Sequence, residues 1–228
     1  MTKTWIPTHP IIATIARVTS GDANAAARGA AILAATATEI GWPDASYGRL
    51  WLAQIGAQLA HETARWTRLV ESMTYRSPAR LREVWPSRFG KMSDAEIAPL
   101  VGNPGALAAR VYGGRMGNLT SADALTYRGR GAIMLTGREN YSAAGAALGL
   151  PLVAHPHLAA VPEHAGRIAA WYLRERVLPH VTDPAATGDV RRRINGGLVG
   201  IDDVATLLRR ILAEISAAVL AGEITQRR

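Results

Sequence analysis

Residues 48–63 read GRLWLAQIGAQLAHET and are the most informative stretch of the chain. Leu52, Ile55 and Leu59 recur at helical spacing, which predicts a helix with one apolar face and an acidic residue, Glu62, at its end. A carboxylate is costly to place against an apolar face unless it is used or paired. Burial in general favours the protonated form of a carboxyl group, which is the form that a general acid requires.

A second carboxylate, Glu71, follows nine residues after Glu62. If the helix continued, the two side chains would lie about 13–14 Å apart along its axis, on opposite faces. They can act on one sugar only if the chain turns back after His61-Glu62. A separation of roughly 6.5–9.5 Å leaves room for a water and suits an inverting glycosidase. From this segment alone, two surface glutamates remain an equal alternative.

The segment 127–141, YRGRGAIMLTGRENY, packs glycines, arginines and tyrosines around a short apolar run. The glycines allow close backbone approach and positive φ. The apolar run predicts a small strand or a buried turn. A Gly-rich loop alone is a weak signal, and the GRG spacing is not that of a phosphate-binding loop.

Together these stretches resemble glycoside hydrolase family 19, which includes plant-type chitinases and many phage endolysins. The resemblance covers roughly residues 48–212 and lies in ordered motifs: His61-Glu62, Glu71, the segment 127–141, and Ile194-Asn195-Gly196-Gly197. Together these ordered motifs are more specific than any one of them. The resemblance implies a mainly α, lysozyme-like domain of two lobes, with a small Gly-rich or β element lining a glycan cleft.

The resemblance also implies roles for individual residues. Glu62 would be the general acid, Glu71 the base that activates water, and Thr136 would help to hold that water. Asn140 and Asn195 would hydrogen-bond the substrate. The remaining expected substrate-binding residues are His61, Tyr75, Tyr127 and Arg130. The mechanism needs no cofactor and no metal.

The chain departs from the family pattern in three places. Thr63-Ala64-Arg65-Trp66 stands where the family often has Gly-Gly, which bears on how sharply the helix turns. Met134 replaces a glutamine common in chitinases, and this removes a sugar-binding amide. The nine-residue spacing of the acids, with Glu-Ser-Met-Thr-Tyr at 71–75, is closer to the endolysin branch than to plant chitinases.

Composition limits the partners. The chain has 228 residues, no cysteine, and a net charge of +8, so it can form neither a disulfide nor a thiolate metal site. The positive charge favours polyanions. No zinc-finger spacing or recognition helix is present, so we expect no nucleic-acid partner. His155, His157 and His164 have no acidic residue at ligand spacing, and we expect no metal there.

Other patterns complete the predicted organisation. Asp22 is expected to cap a helix over 22–40, Ser77-Pro78 to start a short helix, and Ser93 with Glu96 to form a capping box. Residues 113–126 are predicted to be a loop, and Asp202 or Asp203 to cap a last amphipathic helix. We expect a helical extension or lobe over residues 1–47 and a catalytic domain over 48–228.

The functional prediction is a monomeric, phage-type endolysin that hydrolyses the β-1,4 bonds of bacterial peptidoglycan by inversion. No N-terminal secretory signal is evident, so we expect synthesis in a host cytoplasm and action at the wall after release. Membrane contact is expected at most through the basic C-terminal helix. A chitinase is the first alternative. A non-catalytic glycan-binding or virion structural protein is the alternative from another class.

Overall fold

The computed structural model describes residues 9–42 and 44–221, and these are mostly helical. The α-helices in these ranges are α1 (His9–Thr19), α2 (Ala23–Ile40), α3 (Ala45–Glu62), α4 (Pro78–Val84), α5 (Pro86–Phe89), α6 (Asp94–Ile97), α7 (Pro104–Tyr112), α8 (Ser121–Thr126), α9 (Arg138–Leu148), α10 (Pro162–Arg176), α11 (Thr187–Asn195) and α12 (Ile201–Leu220). Two 3₁₀ turns span Ala98–Leu100 and Pro156–Ala160. The predicted mainly α class is confirmed. The segment on which the secretory-signal expectation rests lies partly outside the described residues.

The helix starts follow the predicted capping chemistry. Asp22 accepts a hydrogen bond from the backbone N–H of Ala25 at the start of α2. The hydroxyl of Ser77 accepts from Arg80 N–H at the start of α4. The capping box of Ser93 and Glu96 is present at α6. Local sequence therefore determines these three boundaries.

Two helix predictions were wrong. The expected loop over 113–126 contains α8, which begins with a second capping box, formed by Thr120 and Asp123. The last helix is not capped by an aspartate, because α12 begins after Gly200 and has no side-chain cap. Asp203 lies in its first turn and instead contacts the end of α3, as described below.

Two lobes are defined by where the apolar side chains are buried. The larger lobe is formed by α1, α2, α3, α10, α11 and α12 around one core, and a satellite cluster joins the Gly-rich segment and α9 to α10. The smaller lobe has a separate core built mainly from residues of α4 to α8. Its buried members are Met73, Leu81, Phe89, Ile97, Leu107, Ala108, Val111 and Ala124.

The N-terminal helices share the core of the larger lobe. Ile15 of α1, with Ile32 and Leu33 of α2, is fully buried there with residues of α3, α10 and α12. The division between residues 1–47 and 48–228 stays a prediction. Among the described residues, no helix is long and apolar enough to cross a membrane.

A left-handed turn after α3 reverses the chain. Ala64, Arg65 and Trp66 have φ values of 48°, 63° and 66°. Left-handed backbone costs a non-glycine residue roughly 1–2 kcal/mol. This sharp turn is thus made by residues that carry side chains, and it brings the following segment back toward Glu62.

A small bridged element follows this turn in place of a sheet. Val70 pairs antiparallel with Arg130, and Arg130 pairs antiparallel with Leu135. Within the described ranges these are isolated bridges and not named strands. They join the segment around Glu71 to the Gly-rich segment and place both beside the end of α3.

Candidate active site

Glu62 is the last residue of α3 and is held by a buried arginine. Its Oε1 accepts a hydrogen bond from Nη1 of Arg191 at 2.5 Å. The Arg191 side chain is 2% exposed and that of Glu62 is 17% exposed. Nε of Arg191 also donates to the carbonyl of Val199 at 2.7 Å, which fixes the guanidinium between α11 and the loop before α12. The carboxylate therefore has a fixed position and a charged partner.

Glu71 is held by two donors from different parts of the chain. The hydroxyl of Tyr112, at the end of α7, donates to Oε1 at 2.7 Å. The backbone N–H of Gly129 donates to Oε2 at 3.0 Å, while the N–H of Glu71 itself donates to the Gly129 carbonyl at 2.8 Å. Glu71 thus links the smaller lobe to the Gly-rich segment.

Both carboxylates line one open cleft of about 220 Å³ between the lobes. Its other lining residues are Arg68, Ser72, Tyr75, Tyr112, Met134 and Thr136. The chain reversal after α3 therefore brings together two acids that a continuous helix would separate. Two carboxylates flanking one cleft are the arrangement that glycoside hydrolysis uses.

The two cleft tyrosines remain protonated well beyond neutral pH. Burial raises the pKa of Tyr112 far above its ordinary value, and the negative charge and hydrogen bond of Glu71 add to the effect. Burial also raises the pKa of Tyr75, again reinforced by Glu71. Tyr112 therefore acts as a hydrogen-bond donor to Glu71 throughout the neutral range.

The structure places the His61 side chain against α12, and His61 is not among the residues that line the cleft. Its Nδ1 lies 2.6 Å from Oδ2 of Asp203, and Nη2 of Arg65 donates to the other oxygen of that carboxylate at 2.5 Å. Gly200 lies against the imidazole so closely that a Cβ there would clash with the ring. Substrate binding by His61 stays a prediction, and its described contacts tie the end of α3 to the start of α12.

The Asp203 carboxylate is the centre of this contact. Burial alone would raise the pKa of Asp203, but hydrogen bonds from His61 and Arg65 outweigh it, so the pKa lies below its ordinary value. Asp203 therefore stays ionised at neutral pH and keeps both partners in place next to Glu62.

Four of the nine residues predicted for the site lie together in the cleft: Glu62, Glu71, Tyr75 and Thr136. The Thr136 hydroxyl donates to the Met134 carbonyl at 2.8 Å. Asn140 lies one layer behind, where its side-chain amide donates to the Thr136 carbonyl at 2.8 Å. Asn195 is exposed at the end of α11 and does not line this cleft.

The structure places Tyr127 and Arg130 in the interior of the Gly-rich segment. Tyr127 is 5% exposed, and its hydroxyl donates to the Val153 carbonyl at 3.1 Å. Arg130 is 7% exposed and donates to the Thr126 carbonyl and to the Tyr141 hydroxyl. These contacts support the backbone that presents Gly129 to Glu71 and Thr136 to the cleft. A substrate role for Tyr127 or Arg130 stays a prediction.

Sequence reasoning missed the residues that hold the two acids. Arg191 lies in a run of three arginines, and only the rotation of α11 decides which of them faces Glu62. Nothing in the sequence around Tyr112 marks its hydroxyl as the partner of Glu71. Asp203 was expected as a helix cap, and the structure pairs it instead with His61 and Arg65.

No group of three or more potential metal ligands occurs among residues 9–42 and 44–221. His155 and His157 pack edge to face, with ring centroids 5.9 Å apart. The chemistry that the cleft offers is that of two carboxylates, hydroxyl groups and a cation.

Comparison with known proteins identifies relatives that are named as glycosyl hydrolases or chitinases. A glycosyl hydrolase family 19 domain-containing protein of Haemophilus influenzae is 32% identical over 158 residues, which are 68% of this chain and 76% of that protein. An endochitinase of Arabidopsis thaliana is 43% identical over 72 residues, which are 31% of this chain and 25% of that enzyme. No family model matches the chain.

A solved structure is also similar. Chitinase C from Streptomyces griseus HUT6037 aligns with a TM-score of 0.48 at 23% identity, over 75% of this chain and 62% of that one. The helical architecture, and the cleft that Glu62 and Glu71 both line, are those of a glycoside hydrolase. By its similarity to the Haemophilus protein, the chain belongs to glycosyl hydrolase family 19.

Proposed function

We propose that this protein hydrolyses the β-1,4 bonds of bacterial peptidoglycan. The observation that carries the proposal is Arg68, an exposed cation that lines the cleft with both acids. Among the described ion pairs, none involves Arg68, so its charge is available to a substrate. Peptidoglycan carries stem-peptide carboxylates close to its glycan chain, whereas chitin carries no anion. A net charge of +8 favours the same polyanionic polymer at long range.

Bond cleavage follows from the two carboxylates. Glu62 protonates the leaving glycosidic oxygen, and Glu71 directs a water at the opposite face of the sugar. Arg191 holds the first carboxylate, and Tyr112 with Gly129 N–H holds the second. Thr136 offers its hydroxyl oxygen as a further contact for the water. The carbon attacked is thereby inverted in a single displacement.

The biological setting that fits this proposal is that of a phage-type endolysin. The support is the nine-residue spacing of Glu62 and Glu71, which resembles the endolysin branch of the family. Such an enzyme is made in a host cytoplasm and acts on the wall after release. We propose that it acts as a monomer.

Chitin is the second candidate substrate, and a specific observation favours it. A 72-residue stretch is 43% identical to part of a plant endochitinase. Against this, Met134 lines the cleft where chitinases commonly have a glutamine, so that position offers an apolar contact and no amide. The two candidate substrates also differ at Arg68, because peptidoglycan offers this cation a carboxylate and chitin does not.

The test compares two arginine variants on two polymers. Arg68→Gln and the control Arg210→Gln change the net charge equally, but Arg210 is an exposed residue of α12 outside the cleft. We expect Arg68→Gln to lower kcat/KM on purified peptidoglycan about fivefold, the size of a partly exposed ion pair. Activity on soluble chitooligosaccharides should not change, and Arg210→Gln should match wild type on both.

The contradicting results are equally direct. Rapid cleavage of chitooligosaccharides by the wild type, with none of peptidoglycan, would establish the chitinase alternative. Equal losses in the two arginine variants would assign the effect to net charge and remove Arg68 from substrate recognition.

A further inference from the structure

The left-handed turn that follows Glu62 is in contact with the two N-terminal helices. Ala64, Arg65 and Trp66 all have positive φ, a conformation that L residues keep only when their surroundings hold it. This turn is what returns the chain so that Glu71 lines the same cleft as Glu62. Whatever holds the turn therefore also sets the relative position of the two acids.

Trp66 is the side chain through which the turn is held. It is fully buried, and its Nε1 donates to the Thr19 hydroxyl, at the end of α1, at 2.7 Å. Its indole lies on Gly29 of α2, where an added Cβ would come within 2.8 Å of the ring. The Trp66 carbonyl accepts from Nη1 of Arg28, also of α2, at 2.5 Å. These contacts to Trp66 are all supplied by residues of α1 and α2, before position 48.

The other contacts of the turn come from its own segment and from α12. The Thr63 hydroxyl accepts from Trp66 N–H at 3.0 Å and donates to the Leu59 carbonyl at 2.7 Å. Arg65 is paired with Asp203. These contacts define the backbone path, but none of them fixes the indole. The side chain of Trp66 depends on α1 and α2.

We propose that α1 and α2 are positioning elements of the active site: Thr19, Arg28 and Gly29 hold Trp66, and Trp66 holds the turn that places Glu62 and Glu71 on one cleft. The role is geometric and involves no substrate contact. Displacement of catalytic groups by about 1 Å can cost roughly 100-fold in rate, so a loosened turn is expected to lower kcat. The proposal holds for either glycan substrate.

The test removes one hydrogen-bond acceptor. Thr19→Val keeps the side-chain shape but leaves Trp66 Nε1 without a partner. The matched control is Thr36→Val on α2, which also removes a buried hydroxyl, bonded there to the Ile32 and Gly166 carbonyls and not to the turn. Both variants are compared with wild type at a temperature where all are folded, as judged by thermal unfolding.

We expect kcat of Thr19→Val to fall roughly tenfold on whichever polymer the wild type cleaves, with KM unchanged. Thr36→Val should keep the wild-type kcat even if it unfolds at a lower temperature. Thr19→Ser retains the accepting oxygen and should restore kcat. A general structural role would instead lower activity in both valine variants in proportion to their loss of stability.

A second measurement reports on the turn without any substrate. Trypsin cleaves after arginine, so the rate of native-state cleavage after Arg65 and Arg68, read by mass spectrometry, follows opening of the turn. Cleavage should be faster in Thr19→Val and unchanged in Thr36→Val. A wild-type kcat in Thr19→Val would overturn the proposal, as would unchanged cleavage at the turn or an equal loss of kcat in both valine variants.

Discussion

Removal of the Tyr112 hydroxyl tests how the proposed base is held. The Glu71 carboxylate accepts two hydrogen bonds, from the Tyr112 hydroxyl at 2.7 Å and from the backbone N–H of Gly129 at 3.0 Å. Tyr112→Phe deletes one oxygen and leaves the ring packing and the second donor in place. A hydrogen bond to a charged group contributes about 1.5–3 kcal/mol.

The expected magnitude follows from that value. About 1.4 kcal/mol of transition-state stabilisation corresponds to a tenfold change in rate, so loss of the whole bond sets an upper limit of roughly 100-fold. Gly129 still fixes one oxygen of Glu71, and water in the open cleft can replace part of the lost contact. We therefore expect kcat/KM to fall about tenfold.

The assay is the initial rate of glycan cleavage by purified protein. The control is Tyr47→Phe, which removes a hydroxyl that donates to the Thr182 carbonyl at 3.0 Å, outside the cleft. This control should keep the wild-type rate. A Tyr112→Phe protein with wild-type kcat/KM would refute the reasoning, and so would a tenfold loss in Tyr47→Phe.

Three further predictions concern the acids and the fold. The amide oxygen in Glu62→Gln can still accept a hydrogen bond from Arg191, but the amide cannot protonate the leaving group. Activity should therefore fall at least ~100-fold, with the thermal unfolding temperature little changed. Glu71→Gln should also lose most activity. Ala64→Gly, which suits the φ of 48°, should raise the free energy of unfolding in urea by about 0.5–1 kcal/mol. A free energy of unfolding below that of wild type would contradict the idea that the backbone at Ala64 is strained. Because the pKa of Tyr112 is raised from 10.0, its contribution to stability is present below pH 10 and declines as pH rises further, so alkaline denaturation should be less steep in Tyr112→Phe.

The sequence was informative where local chemistry decides the structure. The apolar spacing before Glu62 predicted the helix that became α3, and the hydroxyl or carboxylate caps of Asp22, Ser77 and Ser93 predicted three helix starts. The capping box of Thr120 and Asp123 at α8 was equally readable and was overlooked. Each of these features depends on residues within one helical turn.

The sequence was less informative where distant segments meet. Ala64, Arg65 and Trp66 are residue types that disfavour left-handed backbone. Tertiary contacts of Trp66 and Arg65 override this local preference. Asp203 was a reasonable cap by sequence, but His61 of α3 and Arg65 of the turn that follows bind its carboxylate instead. The same holds for Arg191, because its contact with Glu62 depends on how α11 packs and not on its neighbours in sequence.

The anomeric configuration of the first product is the sharpest test of the roles proposed for Glu62 and Glu71. If Glu62 acts as the acid and Glu71 activates a water, no glycosyl-enzyme forms, and the new reducing end is the α anomer. Proton NMR of the fresh product, recorded before mutarotation, measures this. Hydrolysis with inversion predicts the α anomer. A β anomer would mean retention and a different role for Glu71, and a 1,6-anhydro product would mean that no water is activated.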